Sequence, residues 1–194
     1  MTGSNAVEKT HEMTAELING VDVGQLMNVI GAVESDTSYA KFQFRATNEW
    51  IDGGHSRSRI KEFFAGNAED TNRKQAFTID SDEPRIAAGH DSAPNPVEYV
   101  LHGLGACLTS TLINHAAVRG IEIDAVESSY TGDMDVRGLF GLADDVRKGF
   151  NKVTVTMRVK SEASAEELTE LALYSPVYDI VSKSLPVEFT LTTY

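Results

Sequence analysis

Cys107 is the single cysteine of a 194-residue chain. It is the residue through which this sequence could do covalent chemistry. A thiolate attacks the electrophilic oxygen of a peroxide or the sulfur of a disulfide, while a thiol does not. Cys107 sits in Gly103-Leu104-Gly105-Ala106-Cys107-Leu108-Thr109-Ser110. On an apolar helix the thiol has two readings, a packed structural group or a reactive one. Reactivity needs a neighbouring cation or hydrogen-bond donors to bring its pKa below about 8.5. A mid-helix position gains little from the helix dipole, which fades within the end turns. The activating group must then come from elsewhere in the fold or from another chain.

Arginine suits that task, because its charge is permanent and its fork reaches both a thiolate and a peroxide oxygen. Arg85 precedes the helix closely in sequence, and Arg57 and Arg59 flank a hairpin further upstream. Glu98 could orient such an arginine, and equally has the spacing of a capping acid. The five histidines, His11, His55, His90, His102 and His115, include no pair at the i, i+4 spacing of a helical metal site. No metal and no cofactor is expected. Gly-rich phosphate loops and serine-nucleophile elbows are absent from the sequence.

These groups must be positioned by a fold. Asn95-Pro96-Val97-Glu98 is the strongest helix start: Asn caps, Pro suits the first turn, and Glu98 completes a capping box. The helix runs to Arg119 and stops at Gly120, roughly 36 Å at 1.5 Å per residue. Val97, Val100, Leu101, Leu104, Leu108, Leu112 and Ile113 make it apolar on most sides, so it must be buried. Upstream, residues 1 to about 20 read as a frayed polar start. Val21 to Val33 reads as a short amphipathic helix capped by Asp22. Strands are expected at Tyr39–Trp50, Arg57–Phe64 and Ala76–Ile79, with Asp80–Pro94 as loop. Downstream, strands are expected at Ile121–Thr131, Lys152–Lys160 and Val187–Thr192. Ser164-Ala165-Glu166-Glu167 opens a helix through Ala172, and Val177–Ser184 forms another. The fold class is α+β with a mostly antiparallel sheet.

Composition bounds the function. Seventeen Lys and Arg against 29 Asp and Glu give a net charge of −12, which disfavours nucleic acid and anionic membrane as partners. The lone cysteine fits a reducing cytoplasm. No basic start leads into an apolar run, so no signal peptide is read.

The stretch Asn95-Pro96-Val97-Glu98-Tyr99-Val100-Leu101-His102-Gly103-Leu104-Gly105-Ala106-Cys107 resembles the central-helix signature of the OsmC/Ohr family of osmotically inducible and organic hydroperoxide resistance proteins. Arg137-Gly138-Leu139-Phe140-Gly141, Val146-Arg147-Lys148-Gly149-Phe150, and Ser175-Pro176-Val177 with Leu185-Pro186-Val187 resemble it too. The likeness covers residues 38–194, leaving 1–37 as an N-terminal extension with a short helix. It implies an intertwined homodimer whose sheets wrap paired central helices. It implies that Cys107 attacks an organic hydroperoxide and becomes a sulfenic acid, with Arg85 and Glu98 holding the thiolate. The second, resolving cysteine of that mechanism is replaced here by Ser175, so an external thiol would act as reductant. The alternatives are a non-peroxidatic member binding a small apolar ligand in a dimer-interface cleft, and a stress-induced structural protein with an inert thiol.

Overall fold

The computed structural model describes residues 17–183. The described chain opens on a hairpin of β1 (Leu17–Ile18) and β2 (Val21–Asp22), turned at Asn19 and Gly20, both at positive φ. Asn-Gly suits such a tight turn because both residues tolerate the left-handed region. The expected frayed start therefore ends earlier than residue 20. Asn19 also fastens the hairpin to the body. Its side-chain amide donates to Ile121 O at 2.9 Å and accepts from Ile123 N at 2.8 Å.

Helix α1 (Val23–Ser35) follows, capped by Asp22, whose carboxylate accepts from Gln25 N at 2.8 Å. The stretch expected as a strand from Tyr39 to Trp50 divides. Thr37–Ala40 is a 3-10 turn, then come β3 (Gln43–Phe44) and β4 (Thr47–Asp52). The returning strand also divides, into β5 (His55–Ile60) and β6 (Phe63–Ala65), with a further short strand β7 (Ala68–Asp70). β8 (Phe77–Ser81) completes this half. Two antiparallel three-stranded sheets result, β3-β6-β7 and β4-β5-β8.

Between β8 and the long helix runs a closed loop organised by Asp82. This fully buried carboxylate accepts from Glu83 N at 2.8 Å, Ser92 N at 3.1 Å and Ser92 Oγ at 2.7 Å. Those donors, the Ser92 hydroxyl foremost, hold its pKa down at about 2. Helix α2 (Pro96–Val118) then starts on a complete capping box. Asn95 Oδ1 accepts from Val97 N, and Glu98 Oε2 accepts from Asn95 N at 2.8 Å. It ends at Arg119, with Gly120 at positive φ.

β9 (Ala125–Asp133) starts four residues later than expected, because Ile121 and Ile123 are engaged by Asn19 instead. The single-turn helix α3 (Val136–Leu139) lies between the two expected strands. β10 (Lys152–Lys160) pairs with β9 along its full length, antiparallel, with Tyr130 opposite Val155 and Val126 opposite Val159. Helices α4 (Ala165–Ala172) and α5 (Pro176–Ser182) close the described chain. The strand expected at Val187–Thr192 lies outside the described residues.

The core is one seam. Leu104, Leu108, Leu112 and Ala116 repeat every fourth residue on α2 and meet Leu168, Leu171 and Ala172 of α4. Val126, Tyr130, Val153, Met157 and Val159 of the β9–β10 sheet pack against the same cluster. None of the residues in β3–β8 is buried, and Phe44 and Trp50 are 70% and 74% exposed.

Candidate active site

Cys107 lies in the middle of α2 with its side chain half-buried. It follows the buried seam residue Leu104 by three positions and precedes Leu108, so it flanks the seam instead of lying in it. Its Sγ is 4.0 Å from Thr111 Oγ1, one turn on. Among the described residues that hydroxyl is its only hydrogen-bonding neighbour. A hydroxyl at that spacing can donate to a thiolate.

The other candidates are held by different elements. Arg85 opens a 3-10 turn, Arg85–Ala87, in the loop before α2. It is exposed and forms no ion pair among the described residues. Its neighbour Ile86 is 98% exposed, so this turn stands clear of the body. Glu98 is engaged through Oε2 in the capping box, while Oε1 has no hydrogen-bond partner among the described residues. Ser175 is 1% exposed and caps α5, its Oγ accepting from Tyr178 N at 3.2 Å. Within one chain, then, neither Arg85 nor Glu98 is hydrogen-bonded or ion-paired to Cys107.

The upstream arginine Arg57 is committed to a group that sequence reasoning passed over. Asp80 on β8 accepts from Arg57 Nε at 2.7 Å and from its second fork nitrogen at 2.8 Å. His55 Nε2 lies 3.5 Å from the same carboxylate. Arg57 beside it, then the nearby His55, holds the Asp80 carboxyl down at about 2. The Asp80 carbonyl in turn accepts from Tyr99 Oη at 2.6 Å, tying β8 to the first turn of α2. A signal existed, since Arg57 and Asp80 stand opposite each other in the β5–β8 register, but that register is a long-range fact.

Among the clefts along α2 are two that also involve the downstream helices. One, of about 450 Å³, lies between α2, β10 and α4 and is lined by Leu108, Leu112, Met157, Leu168 and Tyr178. The other, of about 510 Å³, lies between α1, α2 and the α4–α5 junction. No helix among the described residues is long and apolar enough to cross a membrane.

The comparisons with known proteins bear on this arrangement. The family model described as OsmC-like protein matches residues 89–190. The chain belongs to the OsmC-like protein family. The matched stretch contains α2 with Cys107, the β9–β10 sheet and both downstream helices. Solved structures agree on the fold. An OsmC-like protein from Mycoplasma pneumoniae superposes with a TM-score of 0.54 at 16% identity, over 73% of this chain and 89% of that one. An OsmC-like protein of unknown function from Vibrio cholerae gives 0.52 at 11% identity, over 71% and 92%. No curated protein sequence matches the chain. The OsmC-like architecture expected from the helix motif is therefore the observed one, an antiparallel α+β fold built on a long central helix.

Proposed function

We propose that this OsmC-like protein is a one-cysteine thiol peroxidase acting on small organic hydroperoxides as a homodimer. The observation that carries the reading is the setting of Cys107, half-exposed beside the Thr111 hydroxyl on the central helix of an OsmC-like fold. The thiolate attacks the terminal peroxide oxygen, the O–O bond breaks, and the alkoxide leaves and takes up the proton released when the Cys107 thiol ionised. Cys107 is then a sulfenic acid. One external thiol condenses with it, releasing water, and a second reduces the mixed disulfide, restoring Cys107. Ser175 has no sulfur with which to replace the first of these thiols.

Surface chemistry supports the homodimer. Phe42, Phe44, Trp50 and Phe77 are exposed on the upstream half, which buries no apolar residue of its own. Apolar surface on that scale is covered by association in soluble proteins. Dimerisation also supplies the missing cation. Arg85 stands exposed and unpaired among the described residues, free to face the partner's Cys107. The free Oε1 of Glu98 is the acceptor that would orient it.

The test is consumption of cumene hydroperoxide with dithiothreitol as reductant, with dimedone trapping of the sulfenic acid. Wild type should turn over and label at Cys107. Cys107→Ser should do neither while retaining its circular dichroism. Equal turnover by both proteins refutes the reading. The apolar cleft against Met157 and Leu168 favours a second reading, storage or sensing of a small apolar ligand by an unreactive chain. Slow, pH-insensitive alkylation of Cys107 would support it.

A further inference from the structure

We propose that the groove between α1 and α2 is a binding site for a small amphipathic monocarboxylate, with the carboxylate on Arg119 and the tail running along α2 toward Cys107. The groove ends at Thr111, beside Cys107, but the binding proposed for it stands whether or not Cys107 turns over peroxide.

The groove has about 510 Å³ of space, within the usual range for small-molecule sites. Its apolar wall is Leu26 and Ile30 of α1 with Val118 of α2. Leu26 and Ile30 are four residues apart and so lie on one face of α1, half-buried. The N-terminal extension therefore builds one side of the site, and α2 builds the other.

The polar end is built around a stacked pair. The His115 and Tyr174 rings lie 4.6 Å apart at 19°. The pKa of His115 is lowered, first by burial and then by the Arg119 charge, which favours the neutral ring. A neutral imidazole can accept at Nδ1, and Arg119 lies 3.1 Å from that atom while also donating to His115 O at 3.0 Å. These contacts pin the guanidinium at the groove mouth through one nitrogen. The rest of its fork is free of ion pairs among the described residues, although the chain carries a net charge of −12. A planar fork with free N–H groups matches a carboxylate. Asn114, exposed on the same lining, supplies a further amide donor.

Length fits a chain-like tail. Arg119 and Thr111 both line the groove and are eight residues apart, roughly 12 Å along the helix. The Thr111 end lies beside the Cys107 sulfur. A saturated tail of about ten carbons covers that distance, at the chemical class of a medium-chain fatty acid.

The experiment uses the full chain, decanoate as probe and decan-1-ol as its neutral counterpart. Binding is measured by calorimetry and by amide chemical shifts. Decanoate should shift Leu26, Ile30, Asn114 and His115, and decanol should bind more weakly. Arg119→Gln should weaken decanoate about tenfold, the loss of one exposed charge-assisted pair, and leave decanol unchanged. Ile30→Trp should fill the groove and weaken both. The proposal is overturned if decanoate binds Arg119→Gln as tightly as wild type, if its shifts fall on residues away from the groove, or if millimolar decanoate shifts nothing.

Discussion

Replacing Gly105 by alanine should destabilise this protein, while the same replacement at Gly31 should stabilise it. Both glycines are helical, and alanine is intrinsically better than glycine in a helix by about 1 kcal/mol. What differs is the space beside them. A Cβ at Gly31 meets nothing within 4 Å, so α1 simply gains the propensity. A Cβ at Gly105 would stand 2.8 Å from Cε2 and 3.0 Å from Cζ of Tyr130, where carbon atoms settle about 3.5–4.0 Å apart. Tyr130 cannot retreat easily, because its strand is paired to β10 along its length and its ring packs on the core. Overpacking of this kind costs about 1–3 kcal/mol. Subtracting the propensity leaves a net loss of about 1 kcal/mol at Gly105, against a gain of about 1 kcal/mol at Gly31. For a chain of this size each kcal/mol moves the melting temperature by about 2–4 °C. Thermal and urea denaturation at one fixed protomer concentration would read both changes, since the stability of the proposed dimer depends on concentration. If both variants are stabilised, or both shift by the same amount, the close approach of β9 to α2 is not a constraint and the packing argument fails.

Other outcomes follow from the same geometry. Ser175→Ala removes a buried cap from α5 and should cost about 1 kcal/mol in urea denaturation. Glu98→Gln keeps an acceptor for Asn95 N–H, so stability should change by less than about 0.5 kcal/mol; a large fall in hydroperoxide turnover in that variant would isolate the carboxylate's role toward Arg85. Asp80 and Asp82 are held at about 2 against an ordinary 3.8. Their stabilisation is therefore complete above about pH 4 and is lost as pH falls toward 2; Asp82→Asn should flatten that acid limb in a pH series of urea midpoints. Sedimentation at micromolar concentration should give twice the 21.1 kDa chain mass, and Phe44→Lys should shift it toward the monomer.

The elements most legible in the sequence were those set by local signals. The capping box at Asn95 and Glu98, the Ser164 cap and the clean alternation of Lys152–Lys160 each recur in the structure as read. Asn19-Gly20 was equally local, a hairpin dipeptide between Leu17-Ile18 and Val21-Asp22, yet the polar residues before it masked the signal. Tyr39–Trp50 and Arg57–Phe64 failed for a different reason. Alternation shows that a stretch is extended but not where it changes sheets, and the breaks at Arg45–Ala46 and Lys61–Glu62 depend on partners elsewhere. The helix motif marked Cys107, and the structure added the Thr111 hydroxyl beside it. The Arg57–Asp80–His55 cluster was illegible because it joins residues more than twenty positions apart through strand register.

Asn19 has a consequence for the order in which the molecule assembles. Its partners Ile121 and Ile123 lie 102 and 104 residues downstream. Closing so long a loop is entropically costly, and on the ribosome it is impossible until the central helix has been synthesised. The hairpin must therefore wait undocked until about a hundred further residues have been made, and latch late. Interactions made that late contribute little to the folding rate and fall mainly on the unfolding rate. Asn19→Ala should leave refolding nearly as fast as before and make the native protein come apart sooner.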